Sequence, residues 1–173
     1  MITVAELDWS PISDLVLEPR LRVVEHYWWT GRKHRDQYTQ MLDLLRNVWD
    51  CRKVVVDATG VGAGVASFLT SALGSGVVNS FAFSAPSKSK LAYGLLGAVN
   101  SGRLKLYRGD GSPECREFWQ EVELARYAVG ANQAMDFYVP PEAGHDDFLM
   151  SLALVVEAAG MAGIRRAKGR SRG

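Results

Sequence analysis

The chain has 173 residues, 47% hydrophobic and 23% charged, which suits one globular unit with a single sizeable core and excludes a disordered, collagen-like or strongly acidic chain. No apolar run approaches the roughly eighteen residues a membrane helix needs, and Met1 is not followed by the basic and apolar regions of a secretory signal, so a cytoplasmic protein with no membrane partner is expected. The net charge of +1 hides an asymmetry, because Arg165, Arg166, Lys168, Arg170 and Arg172 crowd the last ten residues and their removal leaves 15 basic against 19 acidic side chains.

In chain order, residues 2–7 and 21–29 have extended character and are separated by a loop with Pro11 and Pro19. In the second segment Leu21, Val23, Glu25 and Tyr27 alternate with Arg22, Val24, His26 and Trp28, one set for each face of a sheet. The two segments read as an antiparallel pair. From Lys33 the period changes, with Tyr38, Met41, Leu42, Leu45, Val48 and Trp49 forming a helical stripe. The β-branched run Val54, Val55 and Val56 reads as a central strand covered on both faces. Asp57 ends it, Gly60, Gly62 and Gly64 make a turn, and a helix carries Val65, Phe68, Leu69, Ala72 and Leu73. A strand is expected over residues 77–83, a loop through SAPSKSK, and a helix over 91–100. Residues 102–107 suggest a short strand, and residues 114–129 a helix. An extended segment over 135–139 stops at Pro140 and Pro141, and GHDDF opens a strongly apolar, buried helix. Cys51 and Cys115 are too few and too far apart for a disulfide framework or a zinc site, and read as reduced thiols.

Acidic residues at strand ends and helix starts are the informative chemistry, since a rigid scaffold holds them at the mouth of a cleft. The Asp57 carboxylate either emerges at the carboxyl edge of the sheet as a ligand or caps the turn that follows. His145, Asp146 and Asp147 precede the last helix, where an Asp also satisfies free amides. Two adjacent carboxylates favour a shared cation, and oxygen donors suit Mg²⁺ or Mn²⁺ better than zinc. Lys88 and Lys90 either contact phosphate or solubilise their loop. The basic residues at the end, Arg165 and Arg166 among them, read as a polyanion-binding extension or a solvated terminus. Trp28, Trp29 and Trp119 suit base stacking, although tryptophans at such positions are more often core. GVGAG lacks dinucleotide-binding spacing, and neither a phosphate-binding ATPase loop nor a G-x-S-x-G elbow is present.

The ordered segments VVVDATGVGAG, FSAPSKSKL, GRLKLY, EFWQEVELA and VPPEAGHDDFLMSLAL resemble the nuclease domain of the large terminase subunit of tailed bacteriophages and prophages. The resemblance runs from about Arg20 to Gly160. It implies an α/β, RNase H-like fold: a mixed sheet with antiparallel N-terminal strands, flanked by helices. It further implies a two-metal-ion endonuclease that hydrolyses double-stranded DNA during genome packaging, with Asp57, Asp146 and Asp147 as ligands of Mg²⁺ or Mn²⁺. His145 would orient a carboxylate or the attacking water, or merely fill the turn, and Lys88, Lys90, Arg165 and Arg166 would meet DNA. Partners implied are the terminase ATPase domain, the small terminase subunit and the portal. Family members carry a further first-strand acid ahead of the segment that MITVAELDW resembles. Residues 1–163 are therefore expected to be an N-terminally incomplete nuclease domain and residues 164–173 a basic tail without fixed structure. The alternative is a catalytically silent DNA- or protein-binding remnant of a prophage terminase.

Overall fold

The structure, a computed structural model, describes residues 1–12, 17–29, 31 and 34–162. The expected antiparallel pair is formed by β1 (Ile2–Asp8) and β2 (Arg20–Tyr27). Alternation along β2 buries Leu21 and Val23 and leaves Arg20 and Arg22 outside. On its other edge β2 runs parallel to the short β5 (Leu104–Lys105), completing a three-stranded piece. A second piece consists of β3 (Val54–Asp57) beside β4 (Val78–Phe81), parallel because the helix α2 (Gly62–Leu73) carries the chain back between them. The result is the expected mixed sheet with flanking helices. Among the described residues no ladder joins β1 to β3, so the free edge of β3 opens on a cleft. The valine run reads as central because its faces meet apolar neighbours, Val54 and Val56 on one side and Val55 on the other.

Three element boundaries depart from the sequence reading. The first helix, α1 (His34–Asp43), passes into a π-helical turn at Leu44–Val48. The wider turn changes the angular step per residue, so Leu45 stays buried while Val48 rotates out to 56% exposure. Helix α3 (Ala85–Asn100) begins before residue 91 because Ser84 and Ser87 form a reciprocal capping box and Pro86 favours the first turn. Lys88 and Lys90 therefore sit on a helix, not in a loop. Helix α4 (Pro113–Leu124) stops short of residue 129, and Arg126–Val129 is strand β6, paired antiparallel with β7 (Met135–Tyr138). The hairpin turn is closed by the Gly130 amide donating to the Ala134 carbonyl at 2.8 Å, with Gln133 at a φ of 62°.

The last helix, α5 (Asp147–Met161), organises the interior. Its Leu149 and Ala153 join Leu91 of α3 and Phe137 of β7 in one apolar cluster. Its Phe148 and Leu152 join Val23 of β2 and Phe118 of α4 in a second. Phe118 and Phe148 are both fully buried, each contributing roughly 2–3 kcal/mol. A third cluster, Leu45, Leu69 and Val78, ties the π turn and α2 to the β3–β4 pair.

Candidate functional site

Asp57 closes β3, and the local chain is built around it. The Thr59 amide donates to Asp57 Oδ1 at 2.7 Å, and Thr59 Oγ1 in turn accepts from the Phe83 amide at 3.0 Å beyond β4. Helix α2 starts so close to the strand end that a Cβ on Gly62 would lie 2.2 Å from the Asp57 carbonyl oxygen. Only glycine fits there. Gly60, at a φ of 56°, supplies the left-handed turn between them. The two readings of Asp57 are thus compatible: Oδ1 fixes the turn, while the exposed side chain lines the cleft between β1 and β3.

Asp147, the exposed first residue of α5, also lines that cleft. The amino group of Met1 lies near enough for the Asp147 charge to oppose the burial that lowers its pKa. Asp146 occupies the position before the helix and is half-buried, but its side chain makes no capping bond. It does not line the cleft, and neither does the exposed His145. The structure therefore brings Asp57 and Asp147 to one cleft and leaves Asp146 and His145 outside its lining.

The carboxyl group that satisfies the start of α5 comes from elsewhere. Glu121 of α4, only 3% exposed, accepts from the Phe148 and Leu149 amides through Oε2 at 2.8 and 3.0 Å. Burial pushes its carboxyl up to about 7 against the pull of those two amides, and the negative charge of Asp147 adds to the rise. Sequence reasoning passed over Glu121. Its signal was a carboxylate on the inward stripe of an otherwise apolar helix face, one turn from Phe118 and beside Val122.

The basic residues have internal partners. Lys88 Nζ lies 2.8 Å from Asp136 and 5.7 Å from the centre of the Phe137 ring, and Lys90 Nζ lies 2.8 Å from Glu157. Arg165 and Arg166, with the rest of residues 164–173, lie outside the described residues. Trp28 and Trp119 meet Phe148 and Phe118 edge-on, at 6.1 and 5.5 Å between ring centres, Trp119 half-buried and Trp28 exposed.

Among the described residues no three His, Cys, Asp or Glu side chains gather as a metal cluster. Asp57 and Asp147 nevertheless present two hard oxygen donors to one cleft, and Mg²⁺ is commonly held by one or two carboxylates with water and substrate phosphate completing its shell. The donor chemistry fits such an ion.

The structure is similar to that of the large terminase nuclease from the thermophilic phage G20c, solved with bound magnesium: 22% identity, 90% of this chain and 80% of that chain covered, TM-score 0.61. It is also similar to the large terminase nuclease domain of Thermus phage P74-26, at 20% identity, with 88% of this chain and 77% of that chain covered and a TM-score of 0.54. No curated protein matches the chain. A family model described as the terminase RNase H-like domain matches residues 16–158. The chain belongs to the terminase RNase H-like domain family.

Proposed function

We propose that this protein is a divalent-metal-dependent endonuclease domain that hydrolyses phosphodiester bonds of double-stranded DNA during phage genome packaging. The observation that carries the reading is that Asp57, at a strand end, and Asp147, at a helix start far away in sequence, both line one cleft. Family membership supports the substrate class, and the G20c relative, solved with magnesium, supports the cofactor class.

Asp57 and Asp147 would hold the Mg²⁺ or Mn²⁺, and the bound ion would supply a Lewis acid for the phosphoryl oxygen and a lowered pKa for the attacking water. The chain's own work is positioning. The Asx turn through Thr59 and the close approach of Gly62 hold the strand-end carboxylate, and Glu121 holds the first turn of α5. Chemistry with two ions requires donors beyond these two aspartates, from Asp146 or from outside the described residues. In this reading DNA meets the basic residues Arg165 and Arg166, and Lys88 and Lys90 contribute only if they leave Asp136 and Glu157. The partners are the packaging ATPase domain, the small subunit and the portal, and the setting is the host cytoplasm.

Plasmid nicking by pure protein in Mn²⁺ tests the reading. Asp57→Asn and Asp147→Asn are each expected to lower the nicking rate roughly 100-fold or more. Supercoiled DNA left intact by the wild-type chain at every Mn²⁺ concentration would overturn it.

A second reading, a catalytically silent DNA-binding module, is favoured by the lack of a three-residue metal cluster among the described residues. It predicts DNA affinity that falls steeply with salt and drops when residues 164–173 are removed, with no nicking. Equal affinity with and without those residues would count against it.

A further inference from the structure

Helix α4 buries Cys115, Phe118 and Glu121. A second stripe, Arg116, Trp119, Gln120 and Glu123, follows the three- and four-residue spacing that puts side chains on one face. This stripe lines a groove of about 340 Å³, within the roughly 300–1,000 Å³ of small-ligand sites. The groove shares no lining residue with the cleft that holds Asp57 and Asp147. Gly109 and Gly111, in the loop before α4, also line it and add no side chain to fill it. Arg116 and Glu123 are seven residues apart, roughly 10 Å along the helix axis. Both are exposed, and among the described residues neither forms a salt bridge. Arg116 Nη1 donates to the Gly111 carbonyl at 2.6 Å, which leaves the other guanidinium N–H groups for an anion. The helix dipole reinforces this polarity, favouring an anion toward the first turn, near Arg116, and opposing the carboxylate of Glu123 in the last.

The complementary ligand has an anion at one end, hydrogen-bond donors at the other and a flat ring between them. We propose that this groove binds a guanine nucleotide, with its 5′-phosphate on Arg116, its ring stacked on Trp119 and its Watson–Crick edge on Glu123. Guanine is the base that presents two adjacent donors on that edge, N1–H and the N2 amino group, and one carboxylate accepts from both. Adenine and cytosine place an acceptor there, which the carboxylate repels. Gln120 supplies an N–H for guanine O6, and the half-buried indole of Trp119 supplies the stacking surface. A free nucleotide and an unpaired guanine at a 5′ DNA end share this chemistry, whereas in a duplex cytosine occupies the same edge. The proposal does not rest on the nuclease reading.

The test measures binding of GMP, AMP and guanosine to the full chain by equilibrium dialysis. GMP is expected to bind at least about tenfold more tightly than AMP. Glu123→Gln, at an exposed position and therefore with unchanged melting, is expected to erase that preference. Arg116→Ala is expected to bring GMP down to the affinity of guanosine. To separate the two sources, one duplex is offered with either an unpaired 5′-phosphorylated dG end or the same end in dA, so that contacts to the duplex cancel. A preference for the dG end assigns the groove to DNA ends. A preference for GMP without one between the two ends assigns it to the free nucleotide, and either result supports the proposal. The absence of a preference in both comparisons, or a preference that Glu123→Gln leaves intact, would overturn it.

Discussion

The buried ionisable residues Glu121 and His26 pull the stability of this protein in opposite directions. Glu121 is raised from 4.5 to about 7, chiefly by burial. The folded state therefore holds a proton the unfolded chain has released, and stability falls as pH rises through that window. His26, hydrogen-bonded by Nδ1 to Thr3 and with its ring tilted 4.3 Å from that of Phe118, is lowered from 6.5 to about 4 by burial. There the unfolded chain takes up the proton first, so stability falls as pH drops from about 6.5 toward 4. Where the windows overlap the two slopes offset each other. Glu121→Gln keeps an oxygen for the two amides and removes one slope. The stability of the variant minus that of the wild type is expected to grow by up to about 1.4 kcal/mol per pH unit between pH 4.5 and 7. Urea denaturation across that range reads it, and parallel profiles would refute the assignment. Gly62→Ala belongs to the same scale. A methyl group 2.2 Å from the Asp57 carbonyl oxygen forces the start of α2 away from β3, for an expected loss of about 2–3 kcal/mol and weaker Mn²⁺ binding.

For the elements, legibility followed the range of the forces that set them. The β1–β2 pair was readable because alternation in residues such as Leu21 and Val23 is a local record of which face is buried. Helix α3 starts earlier than the polar stretch SAPSKSK suggests, because polarity alone does not mark a loop. The hydroxyl groups of Ser84 and Ser87 instead satisfy the first amides of a helix. Ser84→Ala is expected to cost about 1 kcal/mol, read by chemical denaturation, with Lys88 and Lys90 losing their register toward Asp136 and Glu157. Strand β7 agrees with the extended reading of residues 135–139, whereas the helical period of α4 does not continue through residues 126–129, which form β6. Tyr127 and Val129 are strand formers, and the turn at residues 130–133 reverses the chain. At the site, Asp57 and Asp147 were visible as a strand-end and a helix-start acid. Glu121 was not, because its role depends on α4 meeting the amides of α5 across an interface that no sequence spacing encodes.

In the whole molecule, the sheet is divided into pieces that α5 connects through side-chain packing. Met150 and Leu154 lie against the cluster that includes Val55 of β3, and Phe148 and Leu152 against Val23 of β2. The same helix carries Asp147 at its first position. No residue can slip along this helix without moving that carboxylate, since its first turn and its packed face are one rigid rod. A substitution as remote from the cleft opening as Ala153→Gly, which loosens a fully buried contact, would then register as a weaker grip on Mn²⁺ as well as a lower melting temperature. The helix works as a lever whose fulcrum is the hydrophobic interior, so if Asp147 at its tip serves the proposed hydrolysis, selection there would also constrain the greasy middle.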